Sequence, residues 1–190
     1  MKKVIIIGAT GSLAQYVIEA LKQLPDVQLT LFARNKNRLL QNTAQGCTVV
    51  QGDAMHFNDV KNAISGHDVL YVNLAGNLEP MAKNIVTAMH ETGVKRIIAI
   101  SSIGIYGLPL KPVLIPYRKL ADVIEASGLE YTILRPDWFT SANEVNYAIT
   151  RKGQPETGSA ISRKSIAAFV ATIIANADLY KNENLGISKP

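Results

Sequence analysis

The chain opens M-K-K-V-I-I-I-G-A-T-G-S-L-A, and this stretch constrains the fold more than any other. Val4 to Ile7 are four successive β-branched residues with no polar alternation, the pattern of a strand buried on both faces of a parallel sheet. A glycine turn follows at once, in which Gly8 can take backbone angles closed to other residues and Gly11 allows close approach of the backbone. A helix is expected from Ser12. Apolar strand, tight turn and helix N-terminus together form a site for a diphosphate, because the helix's free N–H groups and positive dipole end point into the turn. The spacing is G-x-x-G-x-x-A rather than the usual G-x-G-x-x-G, with Ala14 small enough to keep helix and strand close. An ordinary strand-to-helix turn without a ligand is the plainer alternative.

Further along, apolar strands alternate with amphipathic helices. The first helix is expected over Ser12–Leu24, ended by Pro25, and the second strand over Val27–Ala33. A short helix over 37–43, a strand at 48–51, and a helix with Asn58 or Asp59 at its N-cap and Gly66 at its end come next. Strand four, 68–73, leads into Leu74, Ala75 and Gly76, small enough for a ligand to come close; helix four covers 79–91 and strand five 96–101. Strand six is read at 131–135. Residues 137–160 form a substrate-side loop region with one short helix at 143–150, before a final helix over 161–176 and a short last strand at 184–188. With right-handed crossovers this alternation gives an α/β, Rossmann-like doubly wound parallel sheet in three αβα layers, strand order 3-2-1-4-5-6, in one domain. The switch point then lies between strands one and four, so the glycine turn faces the Asn73–Gly76 loop. Ser101 and the Arg135-Pro136 pair open onto the same edge.

The tip of strand two chooses between dinucleotides. A chain selecting NAD places an acid there for the ribose 2′-hydroxyl, whereas this one has Arg34, with Lys36 and Arg38 behind it. A guanidinium suits the 2′-phosphate of NADP, so NADP(H) is expected over NAD(H); a solvated surface arginine is the alternative. Asp53, at the end of strand three, either accepts from the adenine amino group or caps a turn.

Net charge is +5, but the basic residues are spread along the chain rather than gathered in the dense stripe a nucleic acid requires. No apolar run approaches the roughly 18 residues of a membrane span. Cys47 is the lone cysteine, so no internal disulfide forms and a reducing cytoplasm is expected. His56, His67 and His90 are too scattered for a metal site. The expected partner is a small-molecule substrate or acceptor, with no nucleic acid and no membrane; a homodimer stays open.

G-A-T-G-S-L-A at the start, R-I-I-A-I-S-S in strand five and K-L-A-D-V-I-E-A-S-G-L-E-Y-T-I-L-R-P across the next helix and strand six resemble the NmrA-like, NAD(P)H-binding atypical short-chain dehydrogenase/reductase family. That family also holds biliverdin/flavin-reductase-like enzymes and non-catalytic redox sensors. The resemblance implies that Gly8, Thr10, Gly11, Ser12 and Leu13 hold the diphosphate, Arg34 the 2′-phosphate, Asp53 the adenine, and Leu74, Ala75 and Gly76 the ribose region; Arg38 and Pro136 are further expected cofactor-binding residues. Lys119 would hold the nicotinamide ribose, and Ser101 or Ser102 would contact carboxamide or substrate.

The chain departs from active short-chain dehydrogenases at one place. Those carry a tyrosine four residues before the lysine, on one helix face, as proton donor. Here Ile115 holds that position, and Tyr117, two residues before Lys119, points elsewhere on the helix. Tyr106 or Tyr117 is either a substitute acid or part of an apolar pocket wall, the plainer reading; Trp138 and Phe139 are expected in the same wall. Hydride transfer from NADPH to a small conjugated acceptor such as a flavin or quinone fits such a site. The alternative is a non-catalytic NADP(H) sensor acting through a protein partner. A nucleotide-sugar epimerase or dehydratase comes last, since it needs the Tyr/Lys pair and a larger C-terminal domain.

Overall fold

In the computed structural model, which describes residues 1–190, Val4, Ile5, Ile6 and Ile7 of β1 (Lys2–Ile7) are fully buried and alternate between two separate cores. Side chains of a strand point to opposite faces in turn, so an unbroken apolar run is stable only where both faces are covered. After β1 come α1 (Ser12–Lys22), β2 (Val27–Ala33), α2 (Gln41–Ala44), β3 (Thr48–Gln51), α3 (Phe57–Ile64), β4 (Val69–Val72), α4 (Leu78–Thr92) and β5 (Arg96–Ile100). The chain continues with α5 (Ile115–Glu125), β6 (Glu130–Pro136), β7 (Phe139–Thr140), β8 (Ala148–Arg151), β9 (Ile161–Ser162), α6 (Arg163–Ala175) and β10 (Glu183–Ser188). Val4 and Ile6 enter the core shared with α1 and α6. Ile5 and Ile7 enter the one formed with α3, α4 and α5.

The sheet runs β3-β2-β1-β4-β5-β6-β10-β8, parallel as far as β10. The expected order 3-2-1-4-5-6 is therefore present, and the switch point falls between β1 and β4. Helices end where their caps dictate: α4 stops at Gly93, whose φ of 74° terminates it in the left-handed conformation.

Four local expectations are corrected. The helix expected over 143–150 does not form; Ala148–Arg151 is instead β8, antiparallel to β10, with Ile149 opposite Ile187 and Thr150 opposite Gly186. The open edge of β10 supplies backbone partners that a two-turn helix lacks, and Ile149 and Thr150 favour the extended chain. The final helix starts at Arg163, since Ile161 and Ser162 pair with Phe139 and Thr140 in a two-stranded sheet, β7 with β9. The helix expected over 37–43 is a 3₁₀ turn at Lys36–Arg38 followed by α2. Neither Asn58 nor Asp59 is the N-cap of α3; His56 holds that position, and the Asp59 carboxylate reaches back to accept from the Asp53 N–H at 3.0 Å.

Candidate cofactor site

Gly8 sits at φ 89°, and a Cβ there would lie 2.1 Å from the Asn73 carbonyl oxygen. At Gly11 a Cβ would lie 2.6 Å from the Asn73 amide nitrogen. The two glycines are therefore required by the abutting end of β4 as well as by the turn itself. Their N–H groups close the turn, Gly8 donating to the Phe32 carbonyl and Gly11 to that of Gly8. No side chain caps α1, so the free amides of its first turn open onto a cavity of about 1270 Å³ along the C-terminal ends of the strands. Gly8, Thr10, Gly11, Ser12 and Leu13 all line it. An uncapped helix end above a turn bare of side chains fits a diphosphate.

At one end of the cavity stand Arg34 and Arg38, both exposed, with Asp53 nearby. None of the molecule's ion pairs involves Arg34, Lys36 or Arg38, which leaves a local surplus of positive charge. Asp53 also caps a turn, its Oδ1 accepting from the Met55 N–H at 2.9 Å. Leu74 and Ala75 line the cavity beside the glycine turn; Gly76 does not.

The other end is largely apolar, with Lys111 and Asp137 the charged residues in its lining. Ser101, Ser102, Tyr117 and Pro136 line it, together with Leu108, Val113, Leu114, Trp138 and Phe139. Ser101 Oγ is turned to the Tyr117 carbonyl at 3.0 Å, and Ser102 Oγ donates to the Ile103 carbonyl at 3.2 Å. Trp138 and Leu108 are 83% and 95% exposed, so this wall is open apolar surface rather than core. The loop after β5, from Ile103 to Leu114, wraps this end of the cavity.

Besides Gly76, two expected catalytic residues are placed elsewhere. Lys119 does not reach the cavity: its ammonium is 2.6 Å from Glu79 Oε2, while Lys83 holds the other oxygen at 2.8 Å. Hydrogen bonds from both lysines lower the Glu79 carboxyl to about 2. Tyr106 also faces away. Its hydroxyl donates to Glu125 Oε1 at 3.3 Å and accepts from Asn184 Nδ2 at 2.8 Å, and its ring is flanked by Arg118, Arg135 and Lys152. Burial raises its phenol above the ordinary value, which weakens it as an acid.

Behind the cavity wall lies a polar cluster that sequence reading missed. Arg135, 1% exposed, donates through Nε to Glu156 Oε1 at 2.7 Å and through Nη1 to Asn184. The second oxygen of Glu156 accepts from the Gly104 N–H at 2.9 Å, fastening the loop that lines the cavity. Glu125 closes the cluster: burial pushes its carboxyl up, but hydrogen bonds from Lys152, Asn184 and Tyr106 outweigh this and hold it below its ordinary value. A carboxyl held low in the folded state stabilises the fold above its unfolded value, about 4.3, and loses that contribution as pH falls through the folded value. Urea unfolding is thus expected to show Glu125→Gln less stable than the native chain at pH 7, with the gap closing toward pH 3.

Residues 8–177 match the family described as NAD(P)H-binding. The chain belongs to that family. The resemblance to NmrA-like atypical short-chain dehydrogenase/reductases agrees with it, as do the structural neighbours. A Rossmann-fold NAD(P)-binding family protein from Shigella flexneri superposes with a TM-score of 0.92 at 39% identity, over 100% of this chain and 94% of that one. Quinone oxidoreductase 2 of Escherichia coli is 30% identical over 184 residues, covering 90% of this chain; this NAD(P)H-binding chain spans only 64% of that protein's length. An NADPH-dependent quinone oxidoreductase from Escherichia coli, complexed with NADPH, superposes at 26% identity with a TM-score of 0.76, over 95% of this chain and 67% of that one. No helix of this family member is long and apolar enough to cross a membrane.

Proposed function

We propose that this NAD(P)H-binding protein is an NADPH-dependent reductase that delivers hydride to a small planar conjugated acceptor, a quinone or flavin. The observation that carries the reading is one continuous cavity with two chemistries: unpaired arginines at one end, exposed apolar side chains at the other, and the glycine turn between. Its volume, about 1270 Å³, exceeds the roughly 300–1,000 Å³ usual for a single small ligand, leaving room for a dinucleotide and an acceptor together. The name of the Escherichia coli quinone oxidoreductase supports the acceptor class.

In this reading Arg34 and Arg38 hold the 2′-phosphate, and Asp53 lies beside the adenine. The first-turn amides of α1, with Thr10, Ser12 and Leu13, hold the diphosphate, and Leu74 and Ala75 border the ribose. Bound NADPH supplies the hydride. Trp138, Phe139, Leu108 and Val113 exclude water from one face of the acceptor, while Ser101, Ser102 and Pro136 border the nicotinamide. With Ile115 in place of the usual tyrosine, Lys119 and Tyr106 turned to other partners, and Tyr117 read as part of the cavity wall, the proton comes from solvent. Quinones and flavins accept it without a protein acid.

The expected result is NADPH oxidation by the purified protein with a quinone or flavin panel, at a rate that Tyr106→Phe leaves nearly unchanged. Tight NADPH binding without turnover of any acceptor would overturn the reductase. Lys119, bound to Glu79 outside the cavity, favours a second reading, a sensor that distinguishes NADPH from NADP and signals to a protein partner. Equal affinities for the two forms, measured by calorimetry, would exclude it, because a ligand that binds two states equally shifts nothing.

A further inference from the structure

The first turn of α6 is built against its own dipole. A helix N-terminus favours acidic side chains, yet α6 begins Arg163-Lys164 and has no acidic residue in its first turn. Lys164 reaches away to Asn143 Oδ1 at 2.7 Å. Arg163 instead extends across to the glycine turn, where its Nε is 3.3 Å from Ser12 Oγ at the start of α1. Its Nη1 is fixed by the Thr140 carbonyl at 3.2 Å and Ser141 Oγ at 3.3 Å, and the guanidinium lies 5.4 Å from the centre of the Phe139 ring. Ser12 and Phe139 both line the cavity, and Arg163, outside the lining itself, stands behind them at its rim.

All the oxygens that hold Arg163 are neutral. It takes part in none of the molecule's ion pairs, and its Nη2 makes no hydrogen bond within the protein. The helix it touches is itself uncapped and without an acidic residue in its first turn. A guanidinium and the positive end of α1 thus meet at one place with no anion to balance them. Local preferences are set aside chiefly at functional or strained sites.

We propose that Arg163 binds the diphosphate of the dinucleotide, supplying the countercharge that the glycine turn and the α1 amides provide only as partial charge. It rests on the dinucleotide-binding reading of the cavity. The free Nη2 donor and the fixed plane of the guanidinium suit a phosphate oxygen, and the contacts to Thr140 and Ser141 hold that plane in place before the ligand arrives. Arg163 therefore differs in kind from Arg34: it reads a group that NADPH and NADH share.

The test is titration of NADPH and NADH into the native protein, Arg163→Gln and Arg163→Lys, followed by nicotinamide fluorescence. Arg163→Gln is expected to weaken both nucleotides by the same factor, about tenfold for a lost charge-assisted contact, with Arg163→Lys regaining part of the loss. Unchanged affinity in Arg163→Gln overturns the proposal. So does a loss confined to NADPH, which would place Arg163 at the 2′-phosphate, or an equal loss that Arg163→Lys does not relieve, which would make the side chain a structural brace. Failure of the native protein to bind either nucleotide overturns the dinucleotide reading itself, and this proposal with it.

Discussion

Arg34→Ala is expected to weaken NADPH binding about 10- to 100-fold while leaving NADH nearly unaffected, so that most of the preference between the two is lost. The magnitude is that of one hydrogen bond to a charged group, made bidentate by the planar fork. Arg34 follows β2 directly and is exposed, with no carboxylate to neutralise it, so its charge is available to a ligand at no cost of breaking an ion pair. Arg38 lies one 3₁₀ turn away on the same cavity wall and is expected to retain part of the affinity. Fluorescence titration of both nucleotides against both proteins measures the effect. A native protein that binds the two equally would show that Arg34 is only a solvated surface cation.

The second large effect concerns stability. Glu156→Ala is expected to destabilise the fold by about 3–5 kcal/mol, because it leaves the buried Arg135 guanidinium without its carboxylate. Arg135 is 1% exposed and cannot recover hydration by a rotamer change, and the Asn184 oxygens that remain carry no charge. The double change Arg135→Met with Glu156→Met is expected to recover most of the loss, since removing both charges removes the unmet desolvation. Urea unfolding of the native chain, the single variant and the double variant measures this. A single variant within about 0.5 kcal/mol of native, the range of ordinary surface substitutions, would show that the pair is not a significant anchor. Because Glu156 also accepts from Gly104, the single variant further frees the cavity loop, so acceptor turnover is expected to suffer even where the protein remains folded.

The fold was legible because the signals that specify it are local. The run Val4–Ile7 forces a strand covered on both sides, the glycine turn and uncapped α1 follow within a few residues, and Gly93 ends α4 by its own backbone geometry. Strand order followed from alternation and crossover handedness. The glycine turn, Arg34 and Ser101 share one cavity because they lie at strand ends, which the parallel sheet gathers on one edge, and Arg38 joins them from the 3₁₀ turn after β2.

What failed to show in the sequence depends on partners far along the chain. The segment that forms β8 reads as a helix by itself because the open edge of β10 that fixes it as a strand lies more than thirty residues away. Glu156 meets Gly104 across 52 residues and Arg135 across 21, a pairing no periodicity encodes. The sequence also showed that the tyrosine expected before Lys119 is missing, but not that Lys119 would turn to Glu79, or Tyr106 to Glu125 and Asn184. Period, turn chemistry and capping are properties of neighbouring residues, and they determined the sheet and the mouth of the site. Which charge lies beside which is set only when the packed layers bring distant segments together, and that decided where Lys119, Tyr106 and Arg163 point.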